Sequence, residues 1–494
     1  MARAPRLLIL GYALLAIAWM VGNAPFAAPD EEAHYARALG IAQGRLLGPR
    51  APLPAPLPDP LQSHWAQDQA RAQRIPAGLS PVGFTCPGPR SSQPASCQDA
   101  AHAPAVPTVL VSTAGNFQPL PYLLPALAAP LGSHPPGALR LGRAASLLPC
   151  LLLLAAGLLA LGAADGLAQL GALAALTPQV VFLTASLTGS GLEAAASFAL
   201  TAGLLALSRG RQPDDRRLRA LWVLVGVAGT VLALTRTLGV AWVLLDSAGV
   251  VLVLGPRPLI VAARAAPAAA LAAVAATLGA LVVNRTWEAA HGVHIRLSVV
   301  PSAAALRATG HHLGDLWWGA IARFDALELR PPQPLPALWA VGVLALLVLG
   351  ARLAGRRTGG RLLLLAGAVA VCVVWLAAQI IERSGFSLQG RDVLAGLILP
   401  PLVAGELVHR HRDRCSRVVR RGLLPSVAAL AAMAQLLCFL FDARRFAVGP
   451  RGSVLFALHP DWTPPAGWWP WLGLAAAGAI LLATGGARRS PLAA

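Results

Sequence analysis

The sequence predicts an all-α polytopic membrane protein of about 12 transmembrane helices with a large first extracytoplasmic loop, and three observations predict it. Hydrophobic residues fill 56% of the 494 positions and charged residues only 12%, with a mean hydropathy of +0.62. That leaves too little polar surface to coat a soluble globule. Apolar runs of about 17 to 25 residues, the length that crosses a hydrocarbon core about 30 Å thick, recur from Leu7 to Ala483. The charged residues gather in short blocks between those runs, as topology signals do.

Taken in order, spans are expected near 7–24, 141–162, 168–186, 190–207, 220–236, 238–255, 265–284, 335–351, 362–381, 392–408, 422–441 and 468–485, all within one integral membrane domain, 1–494. The first follows Arg3 and Arg6 and would suit a signal peptide. Its small-residue site Gly22-Asn23-Ala24 precedes Pro25, a poor cleavage context, so an uncleaved helix is expected. A thirteenth candidate, Gln118 to Gly132, holds Pro119, Pro121, Pro125 and Pro130, which break helical hydrogen bonding.

Charge placement decides its status. With twelve spans, the termini and the loops at 208–219, 256–264, 352–361 and 409–421 fall inside. Together with the turn near 165 they carry 21 of the 40 basic residues, all arginine, in roughly 64 residues, against 19 in roughly 205 outside, the asymmetry that marks cytoplasmic loops. Gln118 to Gly132 is then interfacial or re-entrant, and both termini are cytoplasmic. The net charge of +19 is thus a topology signal, and no nucleic-acid partner is expected. Three outer segments remain, 25–139, 285–334 and 442–467, and working groups are usually mounted on such loops.

The first outer loop opens on Pro29-Asp30-Glu31-Glu32-Ala33-His34. If Pro29 starts a helix, Asp30 and His34 share one face and Glu31 lies three residues from His34. Two carboxylates and an imidazole grouped there suit general base work or a divalent cation. The same acids equally suit the N-terminus of a helix as caps.

The segment PDEEAHYARALGIAQGRL resembles the PDExxH signature of a family of bacterial predicted membrane proteins of unknown function, grouped with the GT-C fold of glycosyltransferases. In chain order, GFTCPGPRSSQPASC is similar to its paired-cysteine segment, STAGNFQPLPYLLPALAAPLG to its PPLYY-type stretch, LWWGAIARFDALELRPP to its aromatic segment, and LQGRDVLAGLILPPL to its QGRYLLP motif. The resemblance implies a GT-C-like enzyme that takes a sugar from a polyprenyl-phosphate donor and transfers it to a cell-envelope acceptor outside the cytoplasmic membrane. Asp30 matches the early acidic position that is catalytic in such enzymes. Two departures stand out: Asp392 where the family shows tyrosine, and SLTGSGLE in place of a loop with Asn-Pro-Asp, which leaves Glu193 as the only acid there.

On that basis Asp30 is the expected general base, with Glu31, His34 and Glu193 available to the acceptor or to a cation. Burial beside lipid and beside Glu31 and Glu32 would raise the Asp30 pKa, and an arginine or a metal would oppose that. Arginine at an outer helix end suits a lipid phosphate, because its planar fork binds two oxygens. Arg391, inside the family-like motif, and Arg236 are the expected donor-phosphate ligands, with Arg383, Arg140 and Arg143 also placed for it. Cys86 and Cys97 lie in the outer loop, where an oxidising compartment makes a disulfide the default; a zinc site with His102 is the rival. Trp317, Trp318, Trp462, Trp468, Trp469 and Trp471 are expected in the interfacial belt. His311 and His312 beside Asp315 have no spacing that demands a metal, the arginines of 409–421 suit anionic headgroups, and Asp246 is expected in the bundle interior. Other readings of the chain are a transporter or flippase for lipid-linked sugars, and a non-catalytic assembly subunit.

Overall fold

The computed structural model describes residues 3–84, 93–99, 101–162, 167–209, 214–293, 300–415 and 417–487. Helix α1 (Arg3–Gly22) leads into α2 (Glu31–Ala42) and α3 (Pro60–Gln69). Strands β1 (Arg71–Ile75) and β2 (Thr108–Ser112) pair antiparallel, with Arg71 opposite Ser112. This small sheet, which the hydropathy pattern does not suggest, gives the first loop a core of its own around Phe26, Tyr35, Leu39 and Ile75. Next come α4 (Leu123–Ala128), α5 (Pro135–Leu161), α6 (Gln169–Ala175), α7 (Pro178–Thr184) and α8 (Gly189–Leu207). The rest of the bundle is α9 (Asp215–Thr235), α10 (Gly239–Leu254), α11 (Arg257–Ala265), α12 (Pro267–His291), α13 (Ala303–Ile321), α14 (Pro334–Ser384), α15 (Leu394–Arg410), α16 (Arg417–Val448) and α17 (Trp469–Ala487).

Among the described residues seven helices are long and apolar enough to cross a membrane, or eight if α10 and α11, bent by 109° about Gly255, count as one span. Every expected span is helical, with one revision. The segment 168–186 is two short helices rather than one, because Pro178 holds Thr177 in an extended conformation (ψ 161°) and the Thr177 hydroxyl accepts from Val180 N to start α7. Helix α14 runs through two expected spans in 51 residues, and its break at Gly355, whose φ of 81° is open to glycine and costly for other residues, falls in the loop 352–361 expected between them. Gln118 to Gly132 forms only short helical turns. Its apolar stretch, Leu120–Leu131, is about 18 Å long at 1.5 Å per residue, short of a 30 Å core. Reporter fusions test the topology drawn from the arginine count: a fusion after Leu139 is expected outside and one after Arg211 inside. An outside signal at Arg211 contradicts twelve spans.

Close approach of backbones packs the bundle, as expected where lipid competes with any apolar contact. A Cβ on Gly11 of α1 would lie 2.9 Å from the Gly478 carbonyl of α17. Helix α8 is buried almost throughout, and Trp19 packs at 4.9 to 5.4 Å against Phe182, Phe324 and Phe439. At the other end of α8, Glu406 is buried and paired with Arg209 (2.8 Å) and Arg410 (2.9 Å). Arg410 of the basic block therefore turns inward. Asp246 is fully buried, 2.8 Å from the Ser197 hydroxyl.

Candidate active site

Asp30 sits at the junction of the α1 exit and α2, in the left-handed region (φ 54°, ψ 18°), which costs a non-glycine residue energy. Its side chain makes no capping hydrogen bond to α2. Asp30 thus holds the N-cap position of α2 without a side-chain cap. The carboxylate is 55% exposed and accepts a hydrogen bond from Arg391 Nη2. Arg391 is mostly buried, on a single 3₁₀ turn (Gly390–Asp392) that Gln389 and Asp392 close reciprocally.

Asp392 continues the chain of charges. It lies 2.9 Å from Arg236 Nη1, and the same nitrogen is 3.6 Å from Glu193 and donates to the Ser190 hydroxyl at 3.0 Å. Arg236 is the residue just after α9, Glu193 lies in the first turns of α8, and Asp392 precedes α15. Four separate parts of the chain thus bring Asp30, Arg391, Asp392, Arg236 and Glu193 together with alternating sign. His34 stands behind Asp30, nearly buried, its Nδ1 2.7 Å from the Tyr122 hydroxyl and its ring stacked on Tyr122.

Of the opposing influences on Asp30, the arginine prevails. The Arg391 guanidinium, with support from His34 and Arg236, outweighs burial and holds Asp30 below the usual carboxylate range, at about 2. Glu31 does not crowd Asp30. Glu31 is 1% exposed and faces away, accepting from Arg143 Nε at 2.7 Å, Arg143 Nη2 at 2.6 Å and Leu187 N at 3.0 Å. It is a structural anchor with no room for an acceptor or cation. Arg143, in turn, spends its guanidinium on Glu31 and on the Met20, Asn23 and Ala24 carbonyls, so it cannot hold a donor phosphate.

Burial is the main cause that lowers the His34 pKa, to about 3, with Arg391 and Arg236 acting the same way and Asp30 opposing. His34 is therefore a neutral imidazole at neutral pH. The unfolded chain, near 6.5, takes up a proton first, so His34 favours folding above pH 6.5 and that contribution is lost as pH falls from 6.5 toward 3. Asp30 acts with the same sign in a lower window, from 3.8 down to about 2. Thermal unfolding measured from pH 8 to pH 4 is expected to show falling stability in the wild type and a flatter curve in His34→Gln; parallel curves contradict the assignment.

No group of three His, Cys, Asp or Glu side chains poised for a metal occurs among the described residues. In the site, arginines already neutralise the carboxylates that a cation would need. His311 and His312 are exposed, and Asp315 pairs with Arg330 (3.1 Å) and Arg323 (3.6 Å). Trp462 and Trp468 leave the expected belt for the interior, packed together at 5.8 Å, whereas Trp469 is exposed. Cys97 is disulfide-bonded; Cys86, its expected partner, lies outside the described residues. Tyr122 and Ser190 were not legible as site residues, although Tyr122 lies in the Pro-rich stretch singled out above. Asp392, noticed only as a departure from the family pattern, is the link that ties Arg391 to Arg236.

Fold and site together define a polytopic helical membrane protein with a charged centre where the first loop meets the span ends. The chain belongs to the DUF2142 family, described as predicted membrane protein, whose model matches residues 13–399 and so takes in every residue of this centre. Among solved structures, ArnT from Cupriavidus metallidurans in the apo state is similar at 16% identity and a TM-score of 0.42, over 98% of this chain and 76% of that one. The same protein bound to undecaprenyl phosphate is similar at 16% identity and a TM-score of 0.40, over 97% and 76%. No curated protein matches the chain.

Proposed function

We propose that the protein is a GT-C-like glycosyltransferase, moving a sugar from a polyprenyl-phosphate donor to a cell-envelope acceptor on the outer face of the cytoplasmic membrane. The observation that carries this reading is the Asp30 carboxylate, held in a strained backbone conformation, half exposed, free of any capping duty and paired with Arg391. Strain kept at a polar, accessible position is a mark of function. The ordered family-like motifs supply the reaction class.

In the reaction, the acceptor hydroxyl oxygen bonds to the anomeric carbon of the donor sugar. The bond from that carbon to the phosphate oxygen breaks, and the electron pair leaves with polyprenyl phosphate. Asp30 takes the proton released by the hydroxyl. Arg391 neutralises charge growing on the leaving phosphate, the term usually largest in such steps. The resting ion pair makes Asp30 a weak base; a phosphate arriving beside Arg391 draws the guanidinium away and adds negative charge, and both changes raise its basicity. Arg236, fixed by Asp392 and Glu193, presents a second cation. Incubating membranes with labelled polyprenyl-phosphate sugars tests the reading. Label is expected to move to a membrane or envelope acceptor only when the protein is present, and no transfer from any such donor overturns it.

A further inference from the structure

A groove of about 880 Å³ runs between the first half of α14 and α16, with α6 as its floor. Leu170, Leu173 and Trp339 form its base, and Val341 and Met433 stand exposed at its edges. Its lining along α14 from Leu335 to Leu349 extends about 21 Å at 1.5 Å per residue, past the midplane of a 30 Å core. The lining is apolar except for Arg444, near the end of α16. That end lies on the side of the bundle that carries the first loop, since Gly449 approaches Pro94. Arg444 donates its Nε to the Gly452 carbonyl at 2.9 Å, and among the described residues no carboxylate lies within 4 Å of its guanidinium.

We propose that this groove binds one anionic membrane phospholipid, its acyl chains along α14 and α16 and its phosphate on Arg444. A long apolar slot open to the bilayer takes hydrocarbon, and an arginine without a carboxylate at its headgroup end selects negative charge. The occupant is a phospholipid rather than the sugar donor, because none of Asp30, His34, Glu193, Arg236, Arg391 and Asp392 lines the groove. A donor seated there would have no reacting group within reach. The phospholipid instead bridges two helices that otherwise leave a gap beside Trp339.

The test is native mass spectrometry of the full protein taken into mild detergent from nanodiscs of phosphatidylcholine with one-fifth phosphatidylglycerol. The wild type and Asp30→Asn are expected to retain one phosphatidylglycerol. In Arg444→Gln the preference for phosphatidylglycerol over phosphatidylcholine is expected to fall about tenfold or more, the scale of a lost charge-assisted hydrogen bond, whereas Arg444→Lys keeps most of it. Gly342→Trp fills the groove from a position where a new Cβ meets nothing within 4 Å, so it is expected to fold and to lose the lipid even if Arg444→Gln does not fold. Equal retention of the two lipids by the wild type, retention untouched in Gly342→Trp, or polyprenyl phosphate as the retained species overturns the proposal.

Discussion

Asp30→Asn is expected to insert and fold like the wild type yet lose sugar transfer by roughly 10² or more, the scale of a removed general base. The substitution isolates the chemistry for three reasons. Asparagine tolerates the left-handed conformation that Asp30 adopts nearly as well as aspartate. Its amide oxygen can still accept from Arg391. The side chain is 55% exposed, so a lost charge there is screened and little stability depends on it. What asparagine cannot do is take a proton. Were Asp30 only a helix cap, asparagine would serve almost as well, and transfer would stay near wild type. With the Asp30 pKa held near 2 in the free protein, kcat/KM, which reports the free enzyme, is also expected to show no acid limb from this group between pH 5 and 8.

Breaking the Glu31–Arg143 pair is expected to have the largest effect on stability. Both side chains are fully buried, and the guanidinium gathers the end of α1, the start of α2 and α5 through Glu31 and the Met20, Asn23 and Ala24 carbonyls. The Met20 carbonyl belongs to the last turn of α1, which no further helical turn completes, and those of Asn23 and Ala24 lie in the chain just past it. Glu31→Leu leaves a buried cation, and Arg143→Met leaves a buried carboxylate together with the Met20 and Asn23 carbonyls. Each is expected to cost about 3 to 5 kcal/mol, the usual penalty for an uncompensated buried charge. The double variant is expected to recover a large part of that loss, because neither charge is then stranded. Thermal unfolding of the four proteins checks this; single variants within about 1 kcal/mol of wild type would show that the pair is dispensable.

The long helices were legible because they are runs of apolar residues, many of them bounded by arginine-bearing loops, a signal that survives a composition rich in alanine. What hydropathy could not separate is a continuous helix from a broken one. Thr177-Pro178 splits 168–186, whereas the break at Gly355 falls in the arginine-bearing loop 352–361 already expected between two spans. The β1–β2 pair was hidden because its strands are 5 residues each and lie far apart in the sequence. In the site, Asp30, Arg391, Arg236 and Glu193 could be named from position and motif, since charged residues at span ends are few. Their partners could not. Glu31 is next to Asp30 in sequence, yet one helical step of about 100° turns it into the bundle and onto Arg143. Asp392 read as an anomaly because its partner, Arg236, is distant in the chain and the pairing exists only in the fold.

Binding and a single turnover measured on the same purified, reconstituted sample test Asp30 as the general base. Polyprenyl-phosphate sugar is titrated onto wild type and Asp30→Asn, and release of polyprenyl phosphate is then followed after acceptor is added. Donor affinity is expected to lie within a few-fold for the two proteins, because Arg391 and Arg236 remain, and release is expected to slow by roughly 10² or more in Asp30→Asn. Equal release rates, or no donor binding by the wild type, would contradict that role.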